Sequence, residues 1–317
     1  MTFLPTLKQL QYLTALHQHG HFGRAAQASF VSQSTLSAGL RELEILLGVT
    51  LVERTRRVVR FTPLGERVVA KAYTVLREAD ELAELAGSAS KPLGGELRLG
   101  VIPTIAPFLL PRMLPRLRAA FPDLKLYLRE EQSGAACEAL GRGQLDCVLL
   151  ALPYACGDVT TRKLFDDPFY IAFHPDDYID PPATVPAEAI DQSRLLLLED
   201  GHCLKDQALA ACGRPELRAD TAILGTSLHT LVQMVANRLG LTLVPKMAID
   251  AGILLNTPVI ARPLEGLRAS REVALAWRAS SPRAAEFAML GDALMAAAQA
   301  PPAQTSPAQT SPAVPAA

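Results

Sequence analysis

The string Glu199-Asp200-Gly201-His202-Cys203-Leu204-Lys205-Asp206-Gln207-Ala208-Leu209-Ala210-Ala211-Cys212 sets two cysteines where thiol chemistry is possible. Cys203 follows a Gly-His turn and opens a helical run, where unpaired backbone N–H groups carry partial positive charge. That setting favours a thiolate, as would His202 or Lys205 nearby. A free thiol titrates near ~8.5, so even a modest lowering makes much of it reactive near neutral pH. Cys212 stands nine positions further on. If the run is helical throughout, the two Cα atoms lie roughly 13 Å apart at a rise of ~1.5 Å per residue. A disulfide needs less than about 7 Å. Such a bond would force the helix to unwind and so turn a thiol reaction into a change of shape. Two other readings of these residues stay open. The cysteines could be buried as small hydrophobes, or they could bind zinc, although a long spacer with one adjacent His lacks the usual close ligand pairs.

The elements that must position these groups follow from the rest of the chain. At 317 residues, with 49% hydrophobic and 20% charged, it suits two or three soluble domains. The net charge is −1, yet residues 1–67 carry +4 and the remainder −5. A basic head on an acidic body fits a separate DNA-binding module. No apolar run approaches the ~20 residues that span a bilayer, and the start MTFLPTLKQLQ does not read as a secretory signal. A cytoplasmic chain is expected, with no membrane partner, in which any disulfide is transient or redox-sensing. Cys137, Cys147 and Cys156 fall on helical, buried-strand and loop stretches and are expected to be bystanders.

Residues 1–62 read as short helices followed by a β-rich turn. Over 63–91 a linker and dimerisation helix is expected, because Val68, Ala72, Val75, Ala79, Leu82 and Ala86 recur at steps of four and three, as in a coiled-coil seam. From Glu96, strands alternate with helices, which implies a parallel, doubly wound sheet. Two α/β lobes with a cleft between them are expected over 92–300, lobe I at about 92–165 and 267–300, lobe II at about 166–266. The Pro/Ala/Gln/Thr/Ser repeat of 301–317 cannot bury a core and is expected to be a disordered tail.

In the head, Ser32 is placed to cap a helix that stops at Gly48, with Leu36, Leu40, Leu43 and Leu47 on one face. Ser32, Gln33, Ser34, Thr35, Ser37 and Arg41 offer short polar groups at the other face, suited to a major groove. Arg54, Arg56 and Arg57 lie on a basic hairpin-like wing suited to phosphates.

The order Ala25-Ala26, Ser32-Gln33, Leu36-Ser37, Leu43-Glu44, Leu47-Gly48, Leu51 and Arg54, closed by Thr62-Pro63-Leu64-Gly65, closely resembles the N-terminal signature of LysR-type transcriptional regulators. Ser29-Phe30 and Val52 depart from it only at packing positions. The resemblance implies a winged helix-turn-helix over 1–62, a linker-helix dimer, and an effector domain shaped like a periplasmic binding protein. The cysteine string resembles the sensor segment of OxyR, the peroxide-sensing branch of that family.

Carried over, the resemblance makes Cys203 the peroxidatic thiol and Cys212 the resolving one, with Thr104, Ser133, His202 and Asp206 around the peroxide. Ser133 stands where the family commonly has Thr, and Lys205 where Arg is common. The implied partners are promoter DNA, hydrogen peroxide, a homodimer or homotetramer, RNA polymerase and a cellular dithiol reductant. No cofactor or metal is expected, and the chain is expected to be a stoichiometric switch rather than an enzyme. The alternative is a regulator of the same family that binds a small metabolite between its lobes.

Overall fold

The computed structural model describes residues 4–54, 59–87, 92–177, 181–212, 224–266 and 269–299. Arg56, Arg57 and the tail 301–317 lie outside the described residues. The chain divides into two compact units that part between Lys91 and Pro92.

The first unit begins with α1 (Leu7–His19), started by a capping box between Thr6 and Gln9, and α2 (Phe22–Ala28), capped by His21 Nδ1. Helix α3 (Gln33–Leu47) starts where the Ser32 hydroxyl accepts the Thr35 N–H and ends at Gly48 in the left-handed conformation. Strands β1 (Val52–Arg54) and β2 (Val59–Phe61) pair antiparallel and lead into α4 (Pro63–Gly87). Leu36, Leu40 and Leu43 are fully buried against Leu13, Leu16 and Ala25. Each such leucine contributes about 1.5–3 kcal/mol by leaving water. Leu47, expected on the same face, is 36% exposed. Gly39 lets α1 and α3 approach closely, since a Cβ there would lie 2.8 Å from the Tyr12 ring. On α4, Ala72 is buried, whereas Val75 and Leu82 face solvent.

The second unit opens with β3 (Glu96–Val101), α5 (Ala106–Ala120), β4 (Lys125–Glu130), α6 (Ser133–Gly141) and β5 (Cys147–Leu152). These strands lie parallel in the order β4-β3-β5. The long β6 (Val159–Phe173) then carries the chain from the first lobe into the second. There follow β7 (Val185–Pro186), β8 (Leu197–Leu198), α7 (Cys203–Ala211), β9 (Leu224–Gly225), α8 (Leu228–Ala236), β10 (Thr242–Pro245), α9 (Lys246–Asp250) and β11 (Ile260–Glu265). Strand β12 (Ser270–Arg278) returns to the first lobe, and α10 (Ala284–Gln299) packs beside α5.

The expected parallel sheet needs correction. Strand β12 lies antiparallel between β5 and β6, and β10 and β11 are antiparallel to β6. Apolar runs such as Cys147–Ala151, wholly buried here, report burial on both faces but carry no direction. The direction is set by the chain crossing between lobes along β6 and coming back along β12.

Candidate functional site

Helix α7 holds Cys203 at its first position and Cys212 at its C-cap, so the two thiols stand at opposite ends of one nine-residue helix. Both are buried and in thiol form. At the entry, Gly201 has φ 95° and backs onto Gln132, so an added Cβ would collide with the Gln132 amide oxygen. His202 is the buried N-cap residue, and its Nε2 lies 3.2 Å from Gln132 Nε2. With the amide donating, the ring proton sits on Nδ1. At the middle of the helix, the Gln207 amide donates to the Ala151 carbonyl at 3.0 Å, tying α7 to β5.

Arg271, on β12 and 1% exposed, is a buried charge that acts on Cys203. Its Nε donates to Asp167 Oδ2 at 3.0 Å, Nη1 to the Thr104 hydroxyl at 2.9 Å and Nη2 to the Thr104 carbonyl at 3.0 Å. Asp167 also accepts the Met247 N–H at 2.8 Å. Thr104 therefore does not cap α5, whose N-cap position is Ile105 and which has no side-chain cap. Its oxygen is held by a cation, leaving its O–H to point elsewhere. Neither Arg271 nor Asp167 was singled out from the sequence. Each lies in a strand that carries other charged residues, so nothing in the sequence marked these two for burial.

Burial pushes the Cys203 thiol up, and the Asp206 charge adds to this; the Ser133 hydroxyl, the Arg271 charge and a backbone hydrogen bond with Ala151 oppose it. Ser133 Oγ is buried and has no other partner among the described residues. Burial also raises Cys212, to about 11, and lowers His202 despite Glu199. The helix start and neighbouring cations thus do not make Cys203 a resting thiolate as expected. His202 is held toward its neutral form, and Lys205 instead donates to Asp200 at 2.6 Å. Asp206 is exposed, close enough for its charge to act on Cys203 and Tyr154. Beside the pocket, a cavity of about 360 Å³ is lined by Pro103, Phe108, Gln132, His202, Ser227 and His229.

The structure adds a cysteine pairing that the sequence did not suggest. Cys137 and Cys156 are joined in a disulfide, with Cα atoms 5.2 Å apart, whereas Cys147 is a buried thiol. Their sequence separation of 19 concealed the proximity. The chain turns between α6 and β5, so the loop leaving β5 comes back to the helix.

In the first unit, Gln33, Ser34, Thr35 and Arg41 are exposed along α3 and Ser37 is half-buried. The Ser32 hydroxyl lies 2.8 Å from both Ser34 Oγ and Thr35 Oγ1, so the first turn presents a fixed set of donors and acceptors. Arg54 ends β1.

Residues 7–66 match the model for the bacterial regulatory helix-turn-helix protein, lysR family, and residues 90–299 match the LysR substrate binding domain. The chain is 44% identical over 298 residues to the HTH-type transcriptional regulator EstR of Acinetobacter baylyi, covering 93% of this chain and 97% of that one. It is 40% identical over 290 residues to the hydrogen peroxide-inducible genes activator of Escherichia coli, covering 92% and 95%. A full-length OxyR mutant from Pseudomonas aeruginosa superimposes with a TM-score of 0.76 at 38% identity, covering 96% of this chain and all of that one. The chain is a LysR-family helix-turn-helix regulator of the OxyR type.

Proposed function

We propose that this regulator senses hydrogen peroxide by reversible formation of a Cys203–Cys212 disulfide and thereby controls oxidative-stress genes. The supporting observation is the placement of the thiols at the two ends of α7, with Cys203 facing Ser133 and the Arg271 charge. The hydroxyls of Thr104 and Ser133 hold the peroxide oxygens, and His202 orients the entering molecule. Cys203 Sγ attacks one oxygen and the O–O bond breaks. The thiol proton passes to the departing oxygen, giving water and a sulfenic acid. Arg271 favours the thiolate and the leaving oxygen by the same charge. Cys212 then attacks the Cys203 sulfur, releasing a second water and closing the disulfide.

Nine residues of helix hold the Cα atoms about 13 Å apart, so closure must unwind α7 and detach Gln207 from β5. The repacking shifts a homodimer or homotetramer and changes the spacing of its DNA heads. Exposed Val75 and Leu82 on α4 support pairing along that helix. Ser32, Gln33, Ser34, Thr35, Ser37 and Arg41 face the promoter groove, while Arg54, Arg56 and Arg57 meet phosphates. A cellular dithiol resets the switch in the cytoplasm, and RNA polymerase reads the altered complex. Each signal consumes one peroxide per site, which is stoichiometric and not enzymatic.

Footprinting of promoter DNA before and after peroxide tests this reading. The native chain should change its footprint and Cys203→Ser should not. A native footprint indifferent to peroxide would refute it. It would favour a metabolite effector, which the cavity beside His202 could accommodate.

A further inference from the structure

The Cys137–Cys156 bond lies outside the sensing pair, and its position beside that pair gives it a function. Both residues are partly exposed, unlike Cys203 at 3% and Cys212 at 5%. A dithiol in solution therefore meets the outer pair more readily than the inner one. Cys137 sits on α6 one turn beyond Ser133, the residue whose hydroxyl faces Cys203. Cys156 lies two residues after Tyr154 in the loop leaving β5. The Tyr154 hydroxyl reaches the same helix, 3.3 Å from where a Cβ on Gly134 would stand. Tyr154 is also close enough to Cys203 and Asp206 to interact electrostatically with both. The loop is thus joined to α6 by the disulfide, and the Tyr154 hydroxyl lies against the same helix at Gly134, three residues before Cys137. The helix so joined carries Ser133, whose hydroxyl meets the sensing sulfur.

We propose that Cys137 and Cys156 form a second, solvent-accessible thiol–disulfide couple that clamps the Tyr154 loop over Cys203 and so sets the reactivity of the sensing thiol. Hydrogen peroxide closes it. One thiol, losing its proton, attacks a peroxide oxygen to give a sulfenic acid and water; the other attacks that sulfur and expels a second water. The two sulfurs are oxidised and the peroxide oxygens reduced. A dithiol opens it by attack on one sulfur, passage through a mixed disulfide, and release of both cysteines as thiols with the reductant left as its own disulfide. With the clamp closed, the loop opens rarely and Cys203 is shielded. With it open, the loop keeps only its packing against α6 and Cys203 becomes faster to react. The consequence for sensing rests on Cys203 being the sensor; the couple itself does not.

The first test uses the full-length Cys203→Ser/Cys212→Ser chain, in which the sensing pair is absent. Cycling it between dithiothreitol and hydrogen peroxide while folded should remove and restore a 137–156 linked peptide in non-reducing mass spectrometry. A bond that resists reduction until the protein unfolds, or that fails to re-form, overturns the couple. The second test follows alkylation of Cys203 by iodoacetamide, which needs no peroxide response. Labelling should quicken on the order of tenfold when the clamp is opened, because one cross-link no longer limits local opening. The opening is made in two ways, by Cys137→Ser and by mild dithiol treatment of the native chain, so a folding defect in the variant cannot decide the result. Equal labelling rates in the closed and dithiol-opened native chain overturn the clamp. If the couple cycles and gates labelling while peroxide never links Cys203 to Cys212, the sensing reading fails and this one stands.

Discussion

Arg271→Met keeps much of the buried volume but deletes the charge and the hydrogen bonds to Asp167 and Thr104. Asp167, 2% exposed, is then left with the Met247 N–H and no cation. Breaking a buried ion pair from one side costs about 3–5 kcal/mol, a large part of the ~5–15 kcal/mol that holds a domain folded. Neutralising both partners, as in Arg271→Met/Asp167→Asn, removes the uncompensated charge and should recover most of that loss. The chemistry should not recover. Without the guanidinium, Thr104 is no longer held and the Cys203 thiol rises further. Oxidation of Cys203 should therefore slow on the order of a hundredfold or more in both variants.

Urea unfolding of the reduced full-length chain measures the first effect. Trp277, the single tryptophan and buried on the same strand as Arg271, supplies the signal. Stopped-flow mixing with peroxide measures the second. A single variant that loses less than about 1 kcal/mol would refute the energetic reasoning, which requires a buried unpaired carboxylate to be costly. A double variant that oxidises at the native rate would refute the role given to Arg271.

Gln33→Ala should cost about 1–3 kcal/mol on promoter DNA and little on random DNA, because its side chain is exposed at the reading end of α3; equal losses in a gel-shift titration would move it off the base edges. The reduced chain should lose stability as pH rises past the ordinary thiol range. Burial raises Cys203 and Cys212, so the unfolded chain ionises first, and the loss ends only above about 11 for Cys212. Cys212→Ala should flatten that decline in urea titrations between pH 8 and 11, and an unchanged slope would contradict its burial.

Local signals in the chain carry much of the fold. Helix α3 could be read because Ser32 and Gly48 mark both ends within the segment itself. Helix α7 could be read only from its start, at the Gly201-His202 turn, since its other end at Cys212 carries no such marker. What lay beyond reach depends on contacts distant in sequence. Arg271 meets Thr104 across 167 positions and Asp167 across 104, and no periodicity announces either. The direction of β12 and the Cys137–Cys156 bond are hidden in the same way, by the path the chain takes between elements. The electrostatics of Cys203 reversed for a related reason. A helix start is visible in sequence, but the burial that dominates, and the Ser133, Arg271 and Ala151 groups that oppose it, come from elements distant in the chain.

The most direct measurement is peptide mapping of the peroxide-treated protein by non-reducing mass spectrometry, with dimedone trapping in Cys203→Ser and Cys212→Ser. A 203–212 linked peptide should appear in the native chain, and the sulfenic acid adduct should fall on Cys203 in Cys212→Ser. Treatment that links no 203–212 peptide, or that labels Cys212 in Cys203→Ser as readily as Cys203 in its counterpart, would contradict the peroxide switch.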